Sequence, residues 1–161
     1  MKNKSLFYTS LNNLLRRRMP EIHKEIEKSI SDKNYKNEIE SIECSLEKHI
    51  WGQDTQWRID AEAGSYPCDE MGRSFSFGGY VFLEEVKGRE TIHFKTQMYN
   101  SFDKITTEHK KIAIHYKMLN DKKLIEAIMR QTNEFLDQFY EKFMAEANIF
   151  VQKFRVLKSD S

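Results

Sequence analysis

Two cysteines in 161 residues, Cys44 and Cys68, are too few for a disulfide framework. Reduced thiols are expected instead, and with them a cytoplasmic location. Glycine is scarce as well. The one adjacent pair, Gly78-Gly79, sits in neither a GxGxxG nor a GxxxxGKS/T run, so no phosphate-cradling loop is expected. Charge of one sign is missing too. The net charge is +1, without the strong basic excess of a dedicated nucleic-acid binder. No apolar run approaches the length of a membrane span. Lys2 and Lys4 before Leu6 and Phe7 faintly resemble a secretion signal. However, Thr9, Ser10, Asn12 and Asn13 interrupt the apolar stretch, and Arg16, Arg17 and Arg18 close it. It reads as a mature helix. Neither a membrane partner nor a cofactor is expected.

What is present suits one folded domain over residues 1–161: hydrophobic residues make up 39% of the chain and include 11 phenylalanines. Residues 120–154 carry a wide apolar stripe at helical spacing, from Leu124 and Ile128 through Phe139 and Phe143 to Phe150 and Phe154. Neither proline nor glycine interrupts it, and Asn120 or Asp121 suits its N-cap. Residues 4–50 read as a helical region of three helices. Ser5 caps the first, Met19-Pro20 separates it from the second, and Ile39, Ile42, Leu46 and Ile50 line the third. Between Trp57 and Ala63 the period changes to strict alternation, the mark of a half-buried strand. Similar alternation follows after the loop at 64–72, around Ile92–Met98 and around Ile112–Met118, with Gly78-Gly79 read as a bulge.

The expected architecture is therefore α+β. N-terminal helices precede a four-stranded antiparallel meander over 54–118, and a long C-terminal helix packs on the sheet. Its dimensions carry a consequence. About 33 helical residues span roughly 50 Å, whereas four strands are only about 20 Å wide. The stripe outruns that sheet, so Phe139, Phe143, Phe150 and Phe154 are expected to need a second surface, either the N-terminal helices or another chain. Burying each is worth about 1.5–3 kcal/mol.

Candidate chemistry is sparse. His93, Lys95, His115 and Lys117 alternate away from the apolar face. If the last two strands pair as expected, His93 and His115 adjoin, forming a small cationic surface for phosphate, carboxylate or an acidic partner. Ordinary solvent-facing residues would look the same. Arg16, Arg17 and Arg18 form a basic patch that could meet nucleic-acid phosphates or simply complement a helix end. Tyr66, beside Pro67, is an interface candidate. Cysteine and histidine lack a paired ligand spacing, so no metal is expected, and no catalytic constellation emerges.

Three functional classes remain. The first is a small intracellular binding protein acting by protein–protein contact, as an inhibitor, immunity protein or adaptor of the kind met in bacterial toxin or phage–host conflict. A protein partner or a homo-oligomer is implied. The second is a small-molecule-binding protein or enzyme using the polar sheet face or a sheet–helix pocket. The third is a nucleic-acid-associated factor using the arginine patch. The absence of a catalytic motif favours the first.

Overall fold

The computed structural model describes residues 2–48, 55–64, 68–86 and 88–160. Its elements in chain order are α1 (Lys2–Asp32), β1 (Ser41–Lys48), β2 (Thr55–Glu62), β3 (Ser76–Val86), β4 (Thr91–Asn100), β5 (Ile105–His115), a 3-10 turn (Tyr116–Asn120) and α2 (Lys122–Ser159). The class is α+β, with a five-stranded antiparallel sheet in the order β1-β2-β3-β4-β5.

The expected break at Met19-Pro20 does not occur, and α1 runs straight through Pro20. The reason lies in the stripe. Phe7, Leu11, Leu15, Met19, Ile22, Ile26 and Ile30 recur every three or four residues without losing phase across the proline, and all are buried. A proline inside a helix costs about 3 kcal/mol, and burying several such side chains offsets that. Ser5, expected as a cap, accordingly lies inside the helix.

The expected third helix is strand β1. A spacing of four between Ile42 and Leu46 fits both a helix and a strand, and Cys44 between them decides for the strand. Ile42, Cys44 and Leu46 are half-buried while Ser41, Glu43 and Ser45 are exposed. Ile50 lies outside the described residues. The glycine pair is neither bulge nor turn, since Gly78 and Gly79 stand in regular register with Asp60 and Ile59 on one side and Tyr99 and Met98 on the other. The register shift falls instead opposite β5, between Thr96 and Gln97.

From Ile128 to Phe154 the stripe of α2 is covered by its own chain, while Leu124 at its start stays exposed. α2 packs on β3 and β4, and α1 packs on β1 and β2 and along α2. Phe139, Phe143, Phe150 and Phe154 are all at most 1% exposed. The ring of Phe77 on β3 sits 5.1 Å from Phe143 and 4.8 Å from Phe150, centroid to centroid. The expected shortage of cover assumed four strands and broken N-terminal helices. A fifth strand and an unbroken 31-residue α1 remove it. At the start of α2, Asp121 caps as expected, accepting from the backbone N–H of Lys123 at 2.9 Å.

The two helices run parallel. Polar pairs join them and the turns at their ends in step: Asn3 of α1 with Asn120 just before α2 at 3.0 Å, Arg18 with Asn133, Ser29 with Tyr140 at 2.5 Å, and Tyr35 just after α1 with Asn148 at 2.7 Å. Beyond α1, Arg155 donates to Glu38 at 2.8 Å. The direction follows from strand parity. Each connection reverses the chain, so five strands return it to the direction of α1, whereas four would have made the helices antiparallel.

Candidate functional site on the open sheet face

Both helices cover the same side of the sheet. Alternate residues therefore point to the other side, which no other described element covers. Register places them in rows. Asp60, Gly78 and Tyr99 lie side by side, then Arg58, Tyr80 and Gln97, then Gln56, Phe82, Lys95 and Lys111.

The first two rows form one cluster. The missing side chain of Gly78 makes room for the Tyr99 ring, whose Cε1 lies 2.9 Å from where a Cβ would stand. Tyr99 stacks on Tyr80 with centroids 5.3 Å apart and donates its hydroxyl proton to Asp60 Oδ1 at 2.5 Å. Arg58 Nη2 donates to the same carboxylate oxygen at 3.2 Å and to Tyr80 Oη at 3.3 Å. Its guanidinium lies over the Tyr80 ring, 4.7 Å from the centroid. Burial pushes the Tyr99 hydroxyl well above the ordinary tyrosine range, and the adjacent Asp60 carboxylate pushes it further. The Tyr99 proton is thus held at neutral pH. The cluster is a flat, internally bonded plate of two aromatic rings, a cation and a carboxylate.

The third row holds part of the expected cationic group. Lys95 Nζ is 3.1 Å from Glu84 and 3.8 Å from Glu108, so its charge is largely matched. Lys111 lies directly opposite Lys95 on β5. His93 is on the same face opposite Ala113, and burial, then Lys111 and Lys95, lower its pKa. His115 pairs with Thr91, so the two histidines are diagonal neighbours and not opposite partners. The His115 ring is engaged locally, accepting from the Lys117 backbone N–H at 3.1 Å to cap the 3-10 turn. Lys117 belongs to that turn, beyond the sheet.

The other expected site residues are dispersed. Arg16 and Arg17 are exposed on α1. Arg18 bonds Asn133 and pairs with Asp137 at 2.6 Å, which splits the basic patch. The four phenylalanines of α2 belong to the core. Tyr66 lies outside the described residues. Sequence alternation marks Arg58, Asp60 and Tyr99 as outward-facing, yet only the register across β2, β3 and β4 gathers them with Tyr80.

A polar cleft of about 420 Å³ opens beside the plate, lined by Tyr99, Glu62, Ser76, Ser101 and the Asp69–Ser74 loop. That loop is tied by Asp69, whose Oδ1 accepts from the backbone N–H of Met71 at 2.9 Å and of Arg73 at 2.8 Å. The bond from Arg73 is the main reason its carboxyl stays below the usual aspartate range. Among the described residues, no three histidine, cysteine, aspartate or glutamate side chains are placed to hold a metal ion. No described helix is long and apolar enough to cross a membrane. No protein-family model matches the chain, and neither a curated protein nor a solved structure does.

Proposed function

We propose that the protein acts by contact, as a binding protein of inhibitor, immunity or adaptor type, with the open sheet face as its contact surface. The observation that carries this reading is the Arg58–Asp60–Tyr80–Tyr99 plate. Tyrosine and arginine supply much of the binding energy at protein interfaces. Here their side chains are already held by one another, so little conformational freedom remains to be lost on binding. Phe82 extends the same face, half-buried beside Lys95. A cytoplasmic setting fits Cys44 and Cys68, neither of which is in a disulfide.

A second reading is small-molecule binding in the polar cleft beside Tyr99, favoured by its mix of serine hydroxyls and the exposed Arg73. Nucleic-acid binding has less support, because Arg18 is engaged between the helices.

The deciding experiment compares proteins captured by the wild type and by Phe82→Glu, with thermal melting to confirm that the variant folds. Loss of capture at unchanged melting temperature supports the sheet face as the contact surface. Undiminished capture by a folded Phe82→Glu variant rejects it.

A further inference from the structure

We infer that the end of the molecule at which both helices begin docks on the surface of an anionic lipid membrane. This contact goes beyond the sheet-face reading and uses a different surface.

Four segments meet at this end. Asn3 of α1 bonds Asn120 at 3.0 Å, Lys4 lies over the Tyr116 ring, and the Tyr116 backbone N–H donates to the Glu90 carbonyl at 2.9 Å. These bonds hold together the start of α1, the β3–β4 turn, the 3-10 turn and the start of α2. Three of the six large apolar side chains exposed among the described residues lie here: Leu6 at 57%, Met118 at 38% and Leu124 at 44%.

Cations stand beside them. Lys117 precedes Met118, Lys122 and Lys123 precede Leu124, and Arg89 belongs to the turn next to Tyr116. All four are exposed, and none forms an ion pair among the described residues. The exposed carboxylates among them are Glu90 and Asp121, and Asp121 is occupied as the cap of α2. Lys4 and Glu85 cancel each other as a pair. The far half of α2 differs. Ile149 and Val156 are exposed there, but Lys153 is paired with Asp103 and Arg155 with Glu38.

Fold stability does not explain these lysines. A helix start carries partial positive charge and favours acidic side chains. Neither α1 nor α2 has one in its first turn, and α2 opens on Lys122-Lys123 instead. A local rule broken without a compensating bond points to a functional surface.

Anionic lipid supplies what both kinds of side chain lack. Its headgroups attract lysine and arginine, and the acyl boundary beneath them takes up exposed methionine and leucine. A nucleic acid would match the cations and leave the apolar three in water. The sequence pattern excludes a membrane span, and a surface contact needs none.

The test is co-sedimentation of the full chain with vesicles of phosphatidylcholine alone and of phosphatidylcholine mixed with phosphatidylglycerol. The wild type should bind the mixed vesicles at about 0.1 M salt, and about tenfold or more weakly at about 0.5 M salt or on phosphatidylcholine alone. Lys122→Glu with Lys123→Glu should weaken binding about tenfold or more and raise the melting temperature, because acidic residues suit a helix start. Met118→Ser with Leu124→Ser should weaken binding about tenfold. If that pair fails to fold, Leu6→Ser takes its place, with a loss of about threefold. A wild type that does not bind overturns the inference, as does equal binding to both kinds of vesicle. So does a lysine variant that binds like the wild type or melts lower. Binding indifferent to the serine variants, or tighter on duplex DNA than on vesicles, overturns the assignment to lipid. Phe82→Glu should bind vesicles as the wild type does, whatever it does to protein capture. Vesicle binding lost in that variant overturns the placing of the contact at this end.

Discussion

Gly79 and Phe139 share one space. A Cβ added at Gly79 would come within 2.6 Å of two carbons of the Phe139 ring and 2.9 Å of Met98 Sδ. The ring of α2 thus packs directly on the backbone of β3, which sets how closely helix and sheet approach. Gly79→Ala forces a fully buried ring to move, and overpacking of this kind costs about 1–3 kcal/mol. A urea melt should show a lower midpoint with an unchanged slope. Gly78→Ala should cost more, because its added methyl would meet the carbonyl oxygen of Ile59, a backbone atom held in the β2–β3 ladder.

Arg18 should matter for stability while its two neighbours do not. Its side chain is 14% exposed and bridges the parallel helices to Asn133 and Asp137. Replacing it with alanine removes both bonds and the packing of its stem, a loss of about 1–2 kcal/mol. Arg16→Ala and Arg17→Ala should stay within about 0.5 kcal/mol of the wild type. Asp137 is 67% exposed, so a double-mutant cycle between Arg18 and Asp137 should return no more than about 1 kcal/mol. Thermal melts of the three arginine variants, the Asp137 variant and the double variant check this. Equal losses at all three arginines would contradict the bridge.

Tyr99 gives the fold an alkaline limit. Its hydroxyl ionises at higher pH in the folded chain than at the ordinary value of 10.0, so above that value the folded state binds more protons than the unfolded one. The stability it contributes is complete below pH 10.0 and declines as pH rises through the higher folded value. Tyr99→Phe removes the bond to Asp60 and should cost about 1.5–3 kcal/mol near neutrality, the range for a hydrogen bond to a charged group. The gap between wild type and Tyr99→Phe should narrow above pH 10.0, measured by urea unfolding at a series of pH values. A gap that does not change with pH would mean that the hydroxyl titrates alike in both states.

The two thiols should react at different rates. Cys44 faces the helices from β1, half-buried, and burial pushes its thiol up to about 11. Cys68 is exposed at the edge of the Asp69–Ser74 loop. Since the thiolate is the reactive form, a disulfide reagent at pH 8 should label one cysteine quickly and the second only slowly or on unfolding. Peptide mapping should find the fast label at Cys68. Prompt labelling of Cys44 in the folded chain would show that β1 opens readily at the sheet edge.

Much of this architecture was legible as local pattern. The apolar stripe of α2, its Asp121 cap, and the alternation of β2 and β4 are repeats within one segment, and backbone geometry turns such repeats directly into a helix face or a strand face. Pattern misleads where a repeat is ambiguous or where one residue speaks against its surroundings. The four-residue step from Ile42 to Leu46 suits both periods, and Pro20 argues for a break that the continuous stripe of α1 overrides. The candidate site depended on more than pattern. Arg58, Asp60, Tyr80 and Tyr99 come from three strands, and only hydrogen-bonded register sets them side by side. The direction of α2 along α1, and with it the cover over Phe139 to Phe154, likewise depended on the number of strands between them. Periodicity belongs to the chain and survives in any fold. Register and direction belong to pairings between distant segments, which only the closed core selects.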